Sequence, residues 1–259
     1  MLQKIKEKLN ISTGRLIFTA LITIFLITGG IALYNLIATE VSYTAAQQEY
    51  DDLRQLAPVT ADQQPTDTEP GDEIVTGVES SMPPESPDDT QRLTEINPDY
   101  IGWIRIDGTI IDYPVVQGAD NTMYERITFT GERNNAGTIF MDSRSVGGFD
   151  GFSFLYGHDM RNGSMFAGLH QFRRADFRDA YQDIQIITPD GRILIYRIIH
   201  VFVTDVHDTI FTLHDMNEEA ALSHFERFGI PEGSDVLILV TCTRGDRDER
   251  LLVIAERRI

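Results

Sequence analysis

The single cysteine of the chain, Cys242, lies in a setting that suits nucleophilic chemistry. It follows the apolar run VLILVT and precedes TRGDRDE, so we predict that it ends a strand beside a polar loop. A lone cysteine is most often a small buried apolar residue. Here the loop also carries Arg244, Arg247 and Arg250. Positive charge favours a thiolate, and an arginine can hold an oxyanion. The pattern therefore predicts a site for thiol acyl transfer in which only the general base is still to be identified.

His158 is the candidate base. It lies in LYGHDMRNGSMF, directly after a predicted strand, where side chains project from the rim of a barrel. The remaining histidines fall in predicted helices, within a strand or beside apolar residues: His170, His200, His207, His214 and His224. No pair of histidines has a zinc-ligand spacing with a supporting carboxylate, so we expect no metal and no other cofactor.

Composition excludes several classes of protein. The chain has 259 residues, with 22 Lys and Arg against 40 Asp and Glu, for a net charge of −18. A nucleic-acid binder of the usual basic kind is therefore not expected. One cysteine allows neither an intramolecular disulfide nor a zinc site built of cysteines.

Residues 16–38 form a run without a charged side chain, long enough to span a bilayer as a helix. The run exceeds the apolar region of a signal peptide, which favours a retained anchor over a cleaved segment or a buried core helix. Lysines and an arginine within residues 1–15 precede it, while acids follow it. The positive-inside rule predicts a single-pass protein of the cell membrane, with residues 1–15 cytoplasmic and the bulk of the chain outside.

Residues 39–95 are interpreted as an acidic, largely disordered stalk outside the membrane. A helix can continue briefly to about Leu56, but residues 58–90 are rich in Pro, Asp, Glu, Ser and Thr. Such a composition cannot bury enough apolar surface to offset the entropy of ordering. A cation-binding acidic segment is the alternative, although the acids show no calcium-loop spacing.

From Asn97 onward, short apolar runs alternate with turn residues and predict a mainly β fold. Eight strands are predicted, at residues 101–106, 110–116, 137–141, 152–156, 183–188, 192–204, 235–241 and 250–256. So many short strands with few long helices favour a closed or nearly closed β-barrel. Two helical insertions are predicted, around residues 164–180 and at 217–228, the second capped by Asn217.

Three segments, in order, resemble the sortase family. VTCTRGDRDERLLVIAERR is similar to the sortase signature, a strand ending in Thr-Cys followed after a loop by a strand that opens with Arg. NPDYIGWIRIDGTIIDYPVVQ (97–117) and YGHDMRNGSMFAGL (156–169) resemble class B sortases in particular, as does the predicted helical segment 213–228. The resemblance covers about residues 97–259 and implies an eight-stranded sortase-like β-barrel as the catalytic domain, residues 96–259, behind the membrane anchor.

The resemblance also implies roles for individual residues. Cys242 matches the nucleophile, His158 the catalytic histidine, and Arg250 the catalytic arginine, since DERLLVIA is similar to the family's strand of Arg followed by apolar residues. Tyr156 and Gly157 are similar to the scaffold that supports the histidine.

Three further positions qualify the match. Thr241 corresponds to the Thr before the cysteine, which either assists the oxyanion or fixes the end of the strand. Val240 stands where class B members often have Ser, which puts a polar substrate contact there in doubt. Asp159 replaces the more familiar Asn after the histidine.

A membrane-anchored transpeptidase is the function that the resemblance implies. It would cleave a C-terminal sorting motif of surface proteins through a cysteine thioacyl intermediate and join the substrate to an amine of the peptidoglycan cross-bridge or its precursor.

Three alternatives to this function stay open. A pilin-polymerising sortase, which uses a pilin lysine, is one alternative. A cysteine hydrolase of the papain type usually has its nucleophile before the histidine, at a helix N-terminus, opposite to the order here. A non-catalytic surface binding domain would keep the anchor and the barrel without needing His158 or Arg250.

Overall fold

The structure, a computed structural model, describes residues 13–58, 87–215, 224–231 and 233–258. The chain divides into two compact units, Met1–Ala45 and Ala46–Ile259. Helix α1 (Thr13–Arg54) begins in the first unit, and from Gly14 it is long and apolar enough to cross a membrane. Large apolar side chains in this part of α1 are exposed, among them Phe18, Phe25 and Leu36. The predicted N-terminal apolar helix is therefore present as a candidate membrane span.

The last turns of α1 belong to the second unit. Ala46, Tyr50 and Leu53 follow helical spacing, and all three are buried. The Tyr50 hydroxyl donates a hydrogen bond to the carbonyl of Gly137, and the Tyr50 ring contacts the Tyr113 ring edge-on at 5.2 Å between centroids. A helix continuing briefly to about Leu56 was expected, and α1 ends at Arg54, but the burial of its last turns was not expected of a stalk.

The other end of the expected stalk is also helical. Helix α2 (Pro87–Ile96) buries Leu93 completely, and Pro87 suits the first position of a helix because its fixed φ matches the helical value. The part of the expected stalk at residues 59–86 lies outside the described residues.

The second unit contains a closed eight-stranded barrel, as predicted. Its strands are β1 (Tyr100–Arg105), β2 (Asp112–Val116), β3 (Ile139–Met141), β4 (Phe152–Tyr156), β5 (Asp183–Ile187), β6 (Ile193–Asp205), β7 (Val236–Cys242) and β8 (Glu249–Arg257). Their order around the barrel is β1-β2-β3-β4-β7-β8-β6-β5. Pairs β2–β3 and β4–β7 are parallel, and the other neighbouring pairs are antiparallel.

Strands β2 and β3 begin two residues later than predicted, and turns explain both differences. Gly137 has a φ of 59°, and a Cβ there would lie 2.5 Å from the carbonyl oxygen of Tyr124, so this position is a tight turn rather than the start of β3. Before β2, the Thr109 hydroxyl donates to the carbonyl of Ile106 and accepts from the amide of Ile111, which closes a turn.

Helical segments connect the strands. The insertion predicted around residues 164–180 consists of the 3₁₀ helix Phe166–Arg173 and helix α3 (Ala175–Ala180). Two further 3₁₀ helices, Met123–Glu125 and Thr209–Asp215, were not predicted. Of the helix predicted at 217–228, residues 217–223, including the proposed cap Asn217, lie outside the described residues, while residues 224–226 are helical.

An apolar cluster covers one face of β4, β7 and β8. On the strands it contains Phe154, Val236, Ile238, Val240, Leu252 and Ile254, and from the β6–β7 connection Ile210, Leu213, Phe225 and Ile230. These strand positions alternate with Leu155, Leu237, Leu239, Leu251 and Val253, which are buried on the opposite face. The face under the β6–β7 connection is the outer face of the barrel.

We predict that removing Tyr50 destabilises the second unit. Tyr50→Phe leaves the buried carbonyl of Gly137 without its donor and costs about 1–2 kcal/mol, while Tyr50→Ala also leaves a cavity and costs about 3–5 kcal/mol. Denaturant unfolding of the full chain in mild detergent, followed by fluorescence of the only tryptophan, buried Trp103, measures both. Gln48→Ala, at an exposed position of the same helix, is the control. Equal midpoints for Tyr50→Ala and the control would contradict the packing role.

Candidate active site

The parallel pairing of β4 with β7 brings His158 to the level of Cys242. Tyr156 is in register with Val240, and the amide of Gly157 donates to the carbonyl of Val240 at 3.1 Å. His158 lies two residues after Tyr156, and Cys242 lies two residues after Val240. Because parallel strands end at the same edge of a sheet, the residues that follow β4 meet the end of β7.

Arg250 lies on the other side of Cys242. The two residues are direct partners in the antiparallel β7–β8 ladder. At the next pair of residues along this ladder, the amide of Thr243 donates a hydrogen bond to the carbonyl of Glu249 at 3.4 Å. Cys242 and Arg250 therefore form a non-hydrogen-bonded pair, in which the Cα atoms are about 4.5 Å apart and the side chains share one face.

That shared face is the outer one. Cys242 continues the alternation of Ile238 and Val240, and Arg250 continues that of Leu252, all of which belong to the outer apolar cluster. Cys242 is partly exposed and is a free thiol. The site therefore sits where the apolar outer face ends and the polar rim of the barrel begins.

The imidazole of His158 is held by the backbone. Its Nε2 lies 2.8 Å from the carbonyl oxygen of Glu125, which can only accept, so Nε2 carries the proton of this hydrogen bond. Glu125 ends the 3₁₀ helix Met123–Glu125, which lies between β2 and β3. Nδ1 has no hydrogen-bond partner among the residues that the structure describes, so it is the nitrogen free to exchange a proton.

Gly157 is required by close packing. A Cβ at this position would lie 2.5 Å from Cδ1 of Ile139 and 2.7 Å from the Phe166 ring. The absence of a side chain lets the end of β4 approach β3 and the 3₁₀ helix Phe166–Arg173. This contact gives a physical reason for the predicted scaffold role of Gly157 beside His158.

Tyr156, the other predicted scaffold residue, binds a buried carboxylate. Its hydroxyl donates to Oδ2 of Asp142 at 3.0 Å, and the guanidinium of Arg144 donates to both carboxylate oxygens at 2.9 and 3.0 Å. Burial raises the pKa of Asp142, but the hydrogen bonds from Arg144 prevail and hold it well below its ordinary value of 3.8. Burial and the Asp142 charge together raise the pKa of Tyr156.

The same cluster anchors the β6–β7 connection. Arg144 also lies 3.5 Å from the carboxylate of Asp215. The ring of His214 packs on Phe152 and Phe154, at 4.8 and 5.3 Å between centroids, and burial lowers its pKa. The 3₁₀ helix Thr209–Asp215 is thereby fixed against the outer face of β4.

Thr241 lies on the opposite face of β7 from Cys242. It is 2% exposed, and its buried hydroxyl has no hydrogen-bond partner among the described residues. Because neighbouring residues of a strand point to opposite faces, this position favours a role in fixing the strand over contact with an oxyanion.

The three arginines of the β7–β8 loop have different surroundings. Arg250 donates to the carbonyls of Arg247 and Glu249, at 2.7 and 2.9 Å, and is in register with Cys242. Arg244 instead binds the carboxylate of Asp159. Of the three, the register therefore favours Arg250 as the partner of the thiol.

His170, which we interpreted as an ordinary helical histidine, contacts the strand that carries Cys242. Its Nε2 lies 3.2 Å from the carbonyl oxygen of Cys242. A pocket of about 520 Å³ opens next to this contact and is lined by His170, Arg173, Val203, Thr243, Arg244, Gly245 and Glu249. Spacing along the sequence gives no signal for His170, because the contact depends on how the 3₁₀ helix Phe166–Arg173 closes the end of the barrel.

Comparison with known proteins places this arrangement in context. A family model described as "Sortase domain" matches residues 104–258. A sortase B of Listeria monocytogenes is 40% identical over 95 residues, which are 36% of this chain and 39% of that protein. A sortase B of Staphylococcus aureus is 33% identical over 103 residues, or 39% of this chain and 42% of that protein. The matched part thus spans about two fifths of each of these relatives.

Solved structures match over a larger part of the chain. A mutant form of Clostridium perfringens sortase B is 26% identical, with a TM-score of 0.66 over 82% of this chain and 98% of that one. A Streptococcus pyogenes class B sortase involved in pilus biogenesis is 28% identical, with a TM-score of 0.57 over 65% of this chain and 97% of that one.

We predict that Gly157→Ala destabilises the barrel by about 1–3 kcal/mol, because the added methyl group overlaps Ile139 and Phe166. Unfolding of the full chain followed by Trp103 fluorescence measures the change. The matched control is Gly245→Ala, where the nearest atom to the added Cβ lies at 3.9 Å. A Gly157→Ala midpoint equal to that of Gly245→Ala would show that the end of β4 has more room than the structure gives it.

Asp142 should stabilise the fold in a pH-dependent way. A carboxylate with a lowered folded-state pKa stabilises above its unfolded value, here 3.8, and loses that contribution as pH falls through the folded value. Asp142→Asn should therefore cost about 3 kcal/mol at pH 7, and the difference from the wild type should shrink below about pH 4. Urea unfolding at both pH values tests this, with Asp215→Asn, at an exposed carboxylate, as control. A difference independent of pH would contradict the expectation.

Proposed function

Because the chain belongs to the sortase family, in its class B, we propose that it is a cysteine transpeptidase that cleaves a sorting motif and transfers the acyl product to an amine. One observation supports this above the others. The register of β7 with its two neighbours pairs Cys242 with Arg250, the second residue of β8, and sets Cys242 level with His158, two residues beyond β4. A nucleophile, a proton donor and a cationic oxyanion partner are the groups that acyl transfer from an amide requires.

In the first half-reaction, the thiolate of Cys242 attacks the carbonyl carbon of the scissile amide in the sorting motif. The carbonyl π electrons move to oxygen, and the guanidinium of Arg250 stabilises the resulting oxyanion. His158, as imidazolium, donates a proton to the departing amine as the C–N bond breaks. The products are a thioacyl enzyme and the released C-terminal fragment.

In the second half-reaction, an amine attacks the thioester carbonyl. His158, now neutral, accepts a proton from the attacking nitrogen, and the Cys242 thiolate leaves as the new amide bond forms. We propose an amine of the peptidoglycan cross-bridge or its precursor as the acceptor. A protein lysine is the second candidate, because one structural neighbour of the chain is a class B sortase involved in pilus biogenesis.

The substrates we propose are surface proteins that carry a C-terminal sorting motif, and the proposed location is the outer side of the cell membrane. The apolar part of α1 is a candidate span, and basic residues precede it while the acidic segment follows it. Under the positive-inside rule, this asymmetry supports a cytoplasmic N-terminus and an external barrel.

The proposal predicts that the full chain in detergent, mixed with a library of sorting-motif peptides, forms a thioacyl adduct on Cys242 that intact-protein mass spectrometry detects. Cys242→Ala should form none. His158→Ala and Arg250→Ala should each slow adduct formation by about 100-fold or more, since each removes a group needed in the transition state. Arg247→Ala, in the same loop but out of register with Cys242, is the matched control and should keep nearly the full rate.

Addition of triglycine or of a lysine peptide then distinguishes the possible acceptors. Conversion of the adduct to a new amide with triglycine supports attachment to a cross-bridge amine, and conversion with lysine alone supports polymerisation of protein subunits. Cleavage without entry of either amine would identify a hydrolase and reject the transpeptidase. A thioacyl adduct on Cys242→Ala, or equal rates for Arg250→Ala and Arg247→Ala, would reject the assigned residues.

A further inference from the structure

Asp159 and Arg244 connect the two segments that carry the proposed catalytic residues. Asp159 directly follows His158, and Arg244 lies two residues after Cys242. The guanidinium donates from Nε to Oδ2 at 2.9 Å and from Nη2 to Oδ1 at 3.0 Å, a bidentate pair. The Asp159 side chain is only 3% exposed, while Arg244 is 63% exposed and covers it from the solvent side.

His170 joins the same carboxylate to the backbone of the nucleophile. Its Nε2 is 3.2 Å from the carbonyl oxygen of Cys242 and 3.3 Å from Oδ2 of Asp159. The carbonyl oxygen can only accept, so Nε2 carries the hydrogen and donates it to Cys242. The Asp159 carboxylate lies beside the same nitrogen, and its negative charge favours this orientation of the imidazole.

The hydrogen bond from His170 occupies a position that the sheet leaves empty. Among the described residues, the last backbone hydrogen bond from the β4 side to β7 runs from the amide of Gly157 to the carbonyl of Val240. Two residues on, the carbonyl of Cys242 points to the same side. The chain has turned away there, because Asp159 forms a bridge with Met165 and the carbonyl of His158 accepts from Phe166. The imidazole of His170 takes the place of the missing backbone donor.

We propose that Arg244, Asp159 and His170 form a positioning clasp that sets the end of β7, and with it the thiol of Cys242, relative to His158. None of the three touches the reacting atoms in the mechanism proposed above, and their role rests on that proposed function. The clasp links the two strands beyond the point where their ladder ends. It also gives a reason for an aspartate, rather than an asparagine, after His158, since only a carboxylate accepts both bonds of a guanidinium.

The Arg244 side chain is largely exposed, so solvent screens its attraction to the covered Asp159 carboxylate and the pair should contribute little to stability. The clasp should therefore differ from a structural salt bridge in what its loss changes. Small displacements of reacting groups cost up to about 100-fold in rate. Loss of the clasp should therefore lower the maximal rate of thioacyl formation by about 10- to 100-fold, while the peptide concentration at half-saturation and the unfolding midpoint stay nearly unchanged.

The experiment uses the full chain in detergent and two probes. One is the sorting-motif peptide that forms the adduct described above, and the other is iodoacetamide, which reports on Cys242 alone because the chain has one cysteine.

Three single variants each remove one part of the clasp. Arg244→Lys keeps the positive charge without the bidentate guanidinium, Asp159→Asn keeps the shape without the negative charge, and His170→Ala removes the hydrogen-bond donor. His170→Gln returns an N–H donor and should recover much of the rate lost in His170→Ala. The double variant of Arg244→Lys and Asp159→Asn should lose no more than Asp159→Asn alone, since Asp159→Asn already breaks the bidentate pair with Arg244.

Controls are Arg161→Lys and Asp179→Asn, two exposed positions without an ion pair among the described residues. Wild-type maximal rates in the clasp variants, additive losses in the double variant, or no recovery in His170→Gln would each overturn the proposal. A wild type that forms no thioacyl adduct with any peptide would reject the proposed function instead. In that case iodoacetamide still tests the clasp, because displacement of Cys242 changes its alkylation rate in the clasp variants and leaves it unchanged in the controls.

Discussion

The parallel pairing of β4 with β7 is the constraint on which the site depends. Parallel neighbours end at the same edge, so His158, two residues beyond β4, lies level with Cys242, the last residue of β7. Antiparallel pairing would put His158 and Cys242 at opposite ends. A parallel pair also requires a long crossover. Here the crossover supplies the 3₁₀ helix that closes one end of the barrel, strands β5 and β6, and the segment that covers the outer face.

Sequence patterns predicted the strands well and the pairing poorly, for a physical reason. All eight strands were predicted, because short apolar runs between glycine and aspartate turns reflect local burial. The order β4-β7-β8-β6 reflects contacts between segments far apart in the chain, and no local period encodes it. The positions of Cys242 at a strand end and of His158 directly after a strand made both candidates, but resemblance to a family was needed to match them as a catalytic pair.

Contacts at the margins of the barrel were missed for different reasons. The spacing of Ala46, Tyr50 and Leu53 is a helical stripe, a signal that the acidic composition around it obscured. The link of Asp159 to His170 and Arg244 has no such signal, because polar residues from the connections after β4 and after β7 converge only after the barrel closes. Composition and periodicity indicate which residues are buried. They do not indicate which polar side chains at the rim of the barrel pair with one another.

The distribution of the site over three strands also bears on folding order. Contacts between residues distant in the chain carry a large loop-closure cost and form slowly. The β4–β7 ladder is of this kind, and it must be in place before His158 and Cys242 can meet. Until β7 pairs with β4 and β8, Cys242 lacks the neighbours that the closed barrel gives it. The surroundings in which we propose that Cys242 reacts are therefore complete only when the barrel closes.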